Sequence, residues 1–179
     1  MIADVLKLVL ALEGRPPAPS VPRRLDGLFR RLAAAPPDQV ADIEDMIWAL
    51  WTHHENASAE DAMKRACGAI AHGRYGEAQA LLDGLVAERP DWAEAWNKRA
   101  TLHYLVERDA QSVADIRRTL EIEPRHFGAL CGFAHICLRC GEDGAALAAF
   151  EVALRVHPAL KGVPEAIAAL SRRQPRRVH

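Results

Sequence analysis

Three prolines, Pro90, Pro124 and Pro158, stand 34 residues apart in a chain of 179, closing the stretches VAERP, EIEP and RVHP. A proline has no backbone N–H to donate and drives the residue before it out of helical geometry, so each is a helix stop. Stops at a fixed interval divide the chain into equal units, 59–92, 93–126 and 127–160, and equal units mark a repeat architecture. Within each unit two apolar-periodic stretches of about 14 and 12 residues flank a short turn, HGRYGEA at 72–78 and CGEDGAA at 140–146. Gly73 and Gly141 share one repeat position, where the first helix ends and a left-handed residue is useful. Ala78 and Ala146 follow five places later, small enough for the second helix to approach the first. Each unit reads as a helical hairpin.

Composition agrees, since half the residues are hydrophobic, only 6% are aromatic and the apolar share is dominated by alanine and leucine. With 23 Lys and Arg against 24 Asp and Glu, nothing electrostatic calls for a nucleic acid or an anionic membrane as partner. No stretch reaches the ~20 apolar residues of a membrane span. MIADVLKLVLALEG lacks a basic leader and is interrupted by Lys7, so an amphipathic helix with Ile2, Val5, Leu6, Val9 and Leu12 on one face is expected rather than a cleaved signal. The proline-rich GRPPAPSVP completes a segment 1–22 separate from the rest. Counting back one period gives a degenerate hairpin within 23–58, whose second half places Val40, Ile43, Ile47, Leu50 and Trp51 on one face. Beyond the last proline, 161–179 reads as a capping helix opened by Pro164 and a solvated basic tail with Arg172, Arg173, Arg176 and Arg177.

The 34-residue pattern resembles the tetratricopeptide repeat family. Family positions are filled by Ala66, Gly73, Tyr75, Ala78, Leu82 and Pro90, then Trp96, Ala100, Ile116 and Pro124, then Leu130, Ala134, Gly141, Ala146, Phe150 and Pro158. The stretch DWAEAWNKRATLHYL is also similar to small bacterial repeat proteins. The resemblance implies an all-α fold, a right-handed α-solenoid of three hairpins with a degenerate N-terminal hairpin and a C-terminal cap. Glu107 where glycine is usual, and Ser112 for alanine, predict a looser second turn. Arg65 and Arg99 occupy a usually apolar position and are expected to reach carboxylates such as Asp45 or Asp83.

The segment CGFAHICLRCG, 131–141, invites a metal or redox reading. A helix advances about 100° per residue, which puts His135 at about 40° from Cys131, Cys137 at about 240° and Cys140 at about 180°. These side chains diverge, so no metal site is expected. Cys137 falls on the core face, and Cys140 sits at a helix end, where the dipole does not favour a thiolate. There is no P-loop, GxGxxG, HExxH or GxSxG, and neither an enzyme nor a cofactor is expected.

In the family, first helices line a concave groove, which here implies Met63, Ile70, Asn97, Thr101, Tyr104, Leu105, Cys131, His135, Leu138 and Arg139 as ligand-binding residues. The chaperone-tail carboxylate clamp is missing, because its places hold Met63, Cys67, Lys98, Gly128 and Gly132. A scaffold binding a peptide segment of another protein is the expected function. The alternative is a self-associating homo-oligomer whose groove is shielded by residues 1–13. Unpaired cysteines suit the cytoplasm, with the periplasm as the alternative if an export signal precedes the chain.

Overall fold

A computed structural model describes residues 1–173; Pro175, Arg176 and Arg177 of the basic tail lie outside the described residues. Among these there are ten helices and no strand. In chain order they are α1 (Ile2–Leu10), α2 (Arg24–Ala33), α3 (Val40–Thr52), α4 (Ala57–Ala71), α5 (Tyr75–Glu88), α6 (Ala93–Leu105), α7 (Asp109–Ile122), α8 (Phe127–Arg139), α9 (Asp143–Val156) and α10 (Val163–Arg173).

The hairpins α4–α5, α6–α7 and α8–α9 stack into a helical solenoid, each helix packed on its sequence neighbours. Second helices start at Tyr75, Asp109 and Asp143 and stop at Glu88, Ile122 and Val156, so their boundaries repeat at the 34-residue interval. Small side chains make the close approach possible: Ala66, Ala78, Ala100, Ala134 and Ala146 are buried at the seams between larger Leu82, Ile116, Leu130, Phe133 and Phe150. Each fully buried Leu, Ile or Phe contributes about 1.5–3 kcal/mol of transfer free energy. These side chains fall into two clusters, one holding Ala66, Ala78 and Leu82 of the first hairpin and one running from Ala100 and Ile116 through Leu130, Phe133 and Phe150 of the second and third.

The second turn is not looser than the others. The Arg108 N–H donates to the His103 carbonyl at 2.8 Å, matching Arg74 to Ala69 and Glu142 to Cys137, both also at 2.8 Å. Glu107 itself adopts φ +59°, beside Gly73 at +70° and Gly141 at +75°. Hydrogen bonding and helix packing impose the left-handed turn, and an exposed side chain tolerates it at the cost of Cβ crowding. Ser112, instead of opening the seam, donates to the Ala100 carbonyl at 2.7 Å.

The N-terminal third departs from expectation. The α2–α3 hairpin does not stack on α4 as a preceding repeat; it lies across the edge where second helices end and first helices begin. Its core joins Leu25, Phe29, Ile43, Ile47 and Trp51 to Phe127 of α8, with Val156 and Leu160 against it. The residues two places after each proline, Trp92, His126 and Leu160, form the dock: the Trp92 indole donates to the Trp51 carbonyl at 2.8 Å, His126 stacks on the Trp51 ring, and Leu160 packs in the same cluster. With no hairpin before it, α4 exposes Asp61, Lys64 and Arg65, a polar face that ends the stack.

Residues 1–13 are not in the groove either. α1 lies on the outer row, against α7 and α9, burying Val5, Val9 and Leu12 in the cluster that holds Val113, Leu120 and Val152. At the other end α10 covers α9 with Val163 and Leu170.

Two backbone sites test this account. Glu107→Gly removes the left-handed strain and raises unfolding free energy by about 1 kcal/mol in urea denaturation. At Gly128 an added Cβ would stand 2.7 Å from Trp48 Cη2, whereas at Gly132 its nearest neighbour would be Ile116 Cδ1 at 3.6 Å. Gly128→Ala therefore destabilises by about 1–3 kcal/mol, while Gly132→Ala gains about 0.5–1 kcal/mol in the same assay.

Candidate functional site

The first helices α6 and α8 leave a cleft between them, a cavity of about 230 Å³. Five of the sequence-predicted residues line it together: Asn97, Thr101, Tyr104, Cys131 and His135. Its floor is Ala100, Ser112 and Ile116, reached because Gly128 and Gly132 offer no side chain to fill it. The Thr101 hydroxyl donates to the Asn97 carbonyl at 3.0 Å, leaving its lone pairs toward the cleft. At the rim, the Arg139 guanidinium lies 4.0 Å from the centre of the Tyr104 ring, and it also pairs with Asp109. The ring is thereby held in place by a cation that is already neutralised.

The other predicted residues are distributed differently. Leu105 is 43% exposed and outside the lining of the cleft, and Leu138 is half-buried against the core. Ile70 is half-buried on α4, with the first-repeat cluster and away from the cavity. Met63 is fully buried. It packs with Ala66, Ala95 and Leu102 in the seam between α4 and α6, because the flexible thioether fills the gap their small side chains leave. It is a core residue and not part of the groove lining.

Directly below the cleft is a charged cluster that sequence reasoning missed. The Glu94 carboxylate is fully buried, and its Oε2 accepts from the Asn97 amide at 3.0 Å and lies 2.9 Å from His126 Nε2. His126 Nδ1 accepts the Ala129 N–H at 3.1 Å, capping α8, so Nε2 carries the proton that Glu94 receives. Lys98 Nζ stands 3.1 Å from Oε1, close enough to neutralise it without an aligned hydrogen bond. Burial pushes the Glu94 carboxyl up, but the hydrogen bond from His126 and the Lys98 charge outweigh it and hold its pKa below the usual 4.5. Burial is the largest single influence on the Lys98 pKa and lowers it, but the attraction of Glu94, with a smaller contribution from Cys67, outweighs burial and leaves the pKa raised. Lys98 also lies 5.4 Å from the Trp48 ring centre, so the N-terminal hairpin closes one end of the groove over this cluster. The sequence signal for this cluster is His126, which stands one period after Trp92.

Cys137 is a buried packing group, Cys131 is half-buried at the cleft, and Cys140 is exposed. Burial pushes the Cys131 thiol up to about 11, and burial with the nearby Cys140 and Glu142 pushes Cys137 up to about 12. No group of three or more metal-ligating side chains occurs among the described residues. Arg99 reaches Asp83 at 2.9 Å, and a forked pair to Asp115 at 2.8 and 2.8 Å was not anticipated. Arg65 is exposed and makes no ion pair with Asp45 or Asp83 among the described residues. No helix described is long and apolar enough to cross a membrane.

Stacked hairpins of this period, with first helices around a neutral cleft, define a repeat scaffold of the tetratricopeptide class. No protein-family model matches the chain. It is 37% identical over 161 residues to a TPR repeat-containing protein of Rhizobium etli, covering 89% of this chain and 79% of that one. The chain belongs to the TPR repeat-containing proteins. Among solved structures, the first TPR of Spaghetti (RPAP3), bound to an HSP90 peptide, superimposes with a TM-score of 0.62 at 14% identity, covering 67% of this chain and 95% of that one. The TPR2B domain of yeast Sti1, in a complex with pHsp70, gives 0.59 at 16% identity, covering 65% and 98%. At such identities the likeness is one of fold.

Because Glu94 is depressed on folding, its stabilisation is complete above the ordinary carboxylate range and is lost as pH falls below about 4.5. Glu94→Gln should flatten the acid limb of a stability-against-pH curve measured by urea denaturation. At pH 7, Glu94→Ala should cost about 3–5 kcal/mol, since it leaves a partly buried ammonium unpaired.

Proposed function

We propose that this chain is a protein-interaction scaffold, binding an extended or helical peptide segment in its concave groove with one apolar side chain seated between α6 and α8. The observation that carries this reading is the open cavity of about 230 Å³ with an Ile116 and Ala100 floor and Asn97, Thr101 and His135 at its walls. Such a site offers an apolar side chain a desolvated seat and offers the peptide backbone donors and acceptors beside it. The fold neighbours support peptide binding as a use of this architecture, one carrying an HSP90 peptide and the other in a pHsp70 complex.

The chemistry of the segment differs from that of an acidic chaperone tail. Of the five clamp places, four hold Met63, Cys67, Gly128 and Gly132, and the fifth, Lys98, faces the Glu94 carboxylate at 3.1 Å. A carboxylate arriving in the groove would meet a lysine already neutralised from below. Neutral segments with an exposed aliphatic or aromatic residue suit the lining better.

Selection from a displayed peptide library on the purified chain tests this. The expected outcome is enrichment of neutral peptides with a shared apolar anchor, whose affinity drops about tenfold or more in Gly132→Leu and Tyr104→Ala proteins that retain native helicity. Enriched peptides that bind both variants as tightly as the parent chain would overturn the groove as the binding site.

A further inference from the structure

On the opposite side of the stack from the groove, a larger recess of about 790 Å³ opens between the end of α1, the proline-rich connector, α2 and α9. Its volume falls in the range of about 300–1,000 Å³ typical of small-molecule sites. The floor is apolar, formed by Leu12, Phe29, Val152 and Val156. The rim is cationic. Arg15, Arg30, Arg125 and Arg155 face Glu13 and Asp26 there, four positive charges against two negative, in a chain whose formal charge is -1.

These arginines differ in their partners. Arg125 is fully engaged, with Glu123 at 2.9 Å, Asp26 within hydrogen-bond reach at 2.6 Å, and its guanidinium 4.6 Å from the Phe29 ring centre. That contact uses Asp26. Arg15, Arg30 and Arg155 are exposed and make no ion pair among the described residues, leaving Glu13 as the one anion near them in the lining. Three guanidiniums without carboxylate partners around an apolar floor complement a ligand with an anionic head and an apolar body.

We propose that this recess binds a monomeric amphipathic carboxylate, its acyl or aryl body on Phe29, Val152 and Val156 and its carboxylate among Arg15, Arg30 and Arg155. A free molecule is favoured over a lipid surface because the apolar groups lie at the floor. The large exposed hydrophobics among the described residues, Met1, Leu10, Met46, Tyr75 and Leu105, are all outside this lining, so none of them stands at the rim as an anchor to enter a bilayer. The inference is independent of the peptide groove, which is built from other helices.

Calorimetric titration of the full chain with decanoate, kept below its micelle concentration, is the test. One saturable site per chain is expected, weakened about tenfold in an Arg30→Glu, Arg155→Glu double variant and by added salt. Ala33→Trp, at an exposed position on the wall of the recess, should block binding, and Tyr104→Ala in the groove should leave it unchanged. Equal affinity for uncharged decanol, indifference to the arginine variants, or the absence of saturation would each overturn the proposal. So would binding to phosphatidylglycerol vesicles, or to an acidic peptide, without binding to free decanoate.

Discussion

A carboxylate with no exposure to water must be surrounded by partners, because an unpaired buried charge costs several kcal/mol. Glu94 meets that demand with Asn97 and Lys98 from its own helix and His126 from the N-cap of α8, the first helix of the next repeat. The requirement fixes the spacing of α6 and α8 at one end, and hence the width of the cleft between them. His126 is in turn sandwiched against Trp51, with ring centres 4.0 Å apart and planes at 10°. Through that stack the same charge cluster helps seat the N-terminal hairpin, so one buried ion joins two repeats, the appended hairpin and the groove.

The period was legible because its punctuation is local chemistry. A proline ends a helix whatever surrounds it, and the left-handed turn after each first helix is fixed by backbone hydrogen bonds that all three hairpins repeat at 2.8 Å. That is also why the glutamate at 107 misled: a missing glycine changes the strain in such a turn, while the fold around it decides the conformation. The core positions of the cysteine segment followed from helical geometry in the same way, with Cys137 fully buried and Cys140 just past the end of α8.

Placement of the N-terminal elements was not legible, since periodicity identifies a buried face without naming the surface it meets. Val5, Val9 and Leu12 are buried, but on α7 and α9 instead of in the groove. Trp51 is buried, but against repeat edges and not in front of α4. The sequence does contain the complementary surface, as Trp92, His126 and Leu160 recur at the 34-residue interval two places past each proline. A column of large or aromatic side chains at loop positions, where solvent-exposed polar residues are the norm, is the signal that something docks there. Met63 shows the same limit at the level of one residue: a repeat position sets a direction, and the neighbouring small side chains then decide whether it faces solvent or seam.

The two sides of the stack present different chemistry for a physical reason rooted in how cations are used. In the groove, Lys98 and Arg139 each sit against a carboxylate, Glu94 and Asp109, and each lies over an aromatic ring. Those charges shape and stiffen the lining while contributing little net field, which leaves shape and apolar contact to select the occupant. Behind the stack, Arg15, Arg30 and Arg155 have no such partners within the described residues, so a positive potential remains over an apolar floor. These three arginines lie on the face where α1, α2 and the connector were added to the repeats, which gives the additions a chemistry distinct from that of the groove.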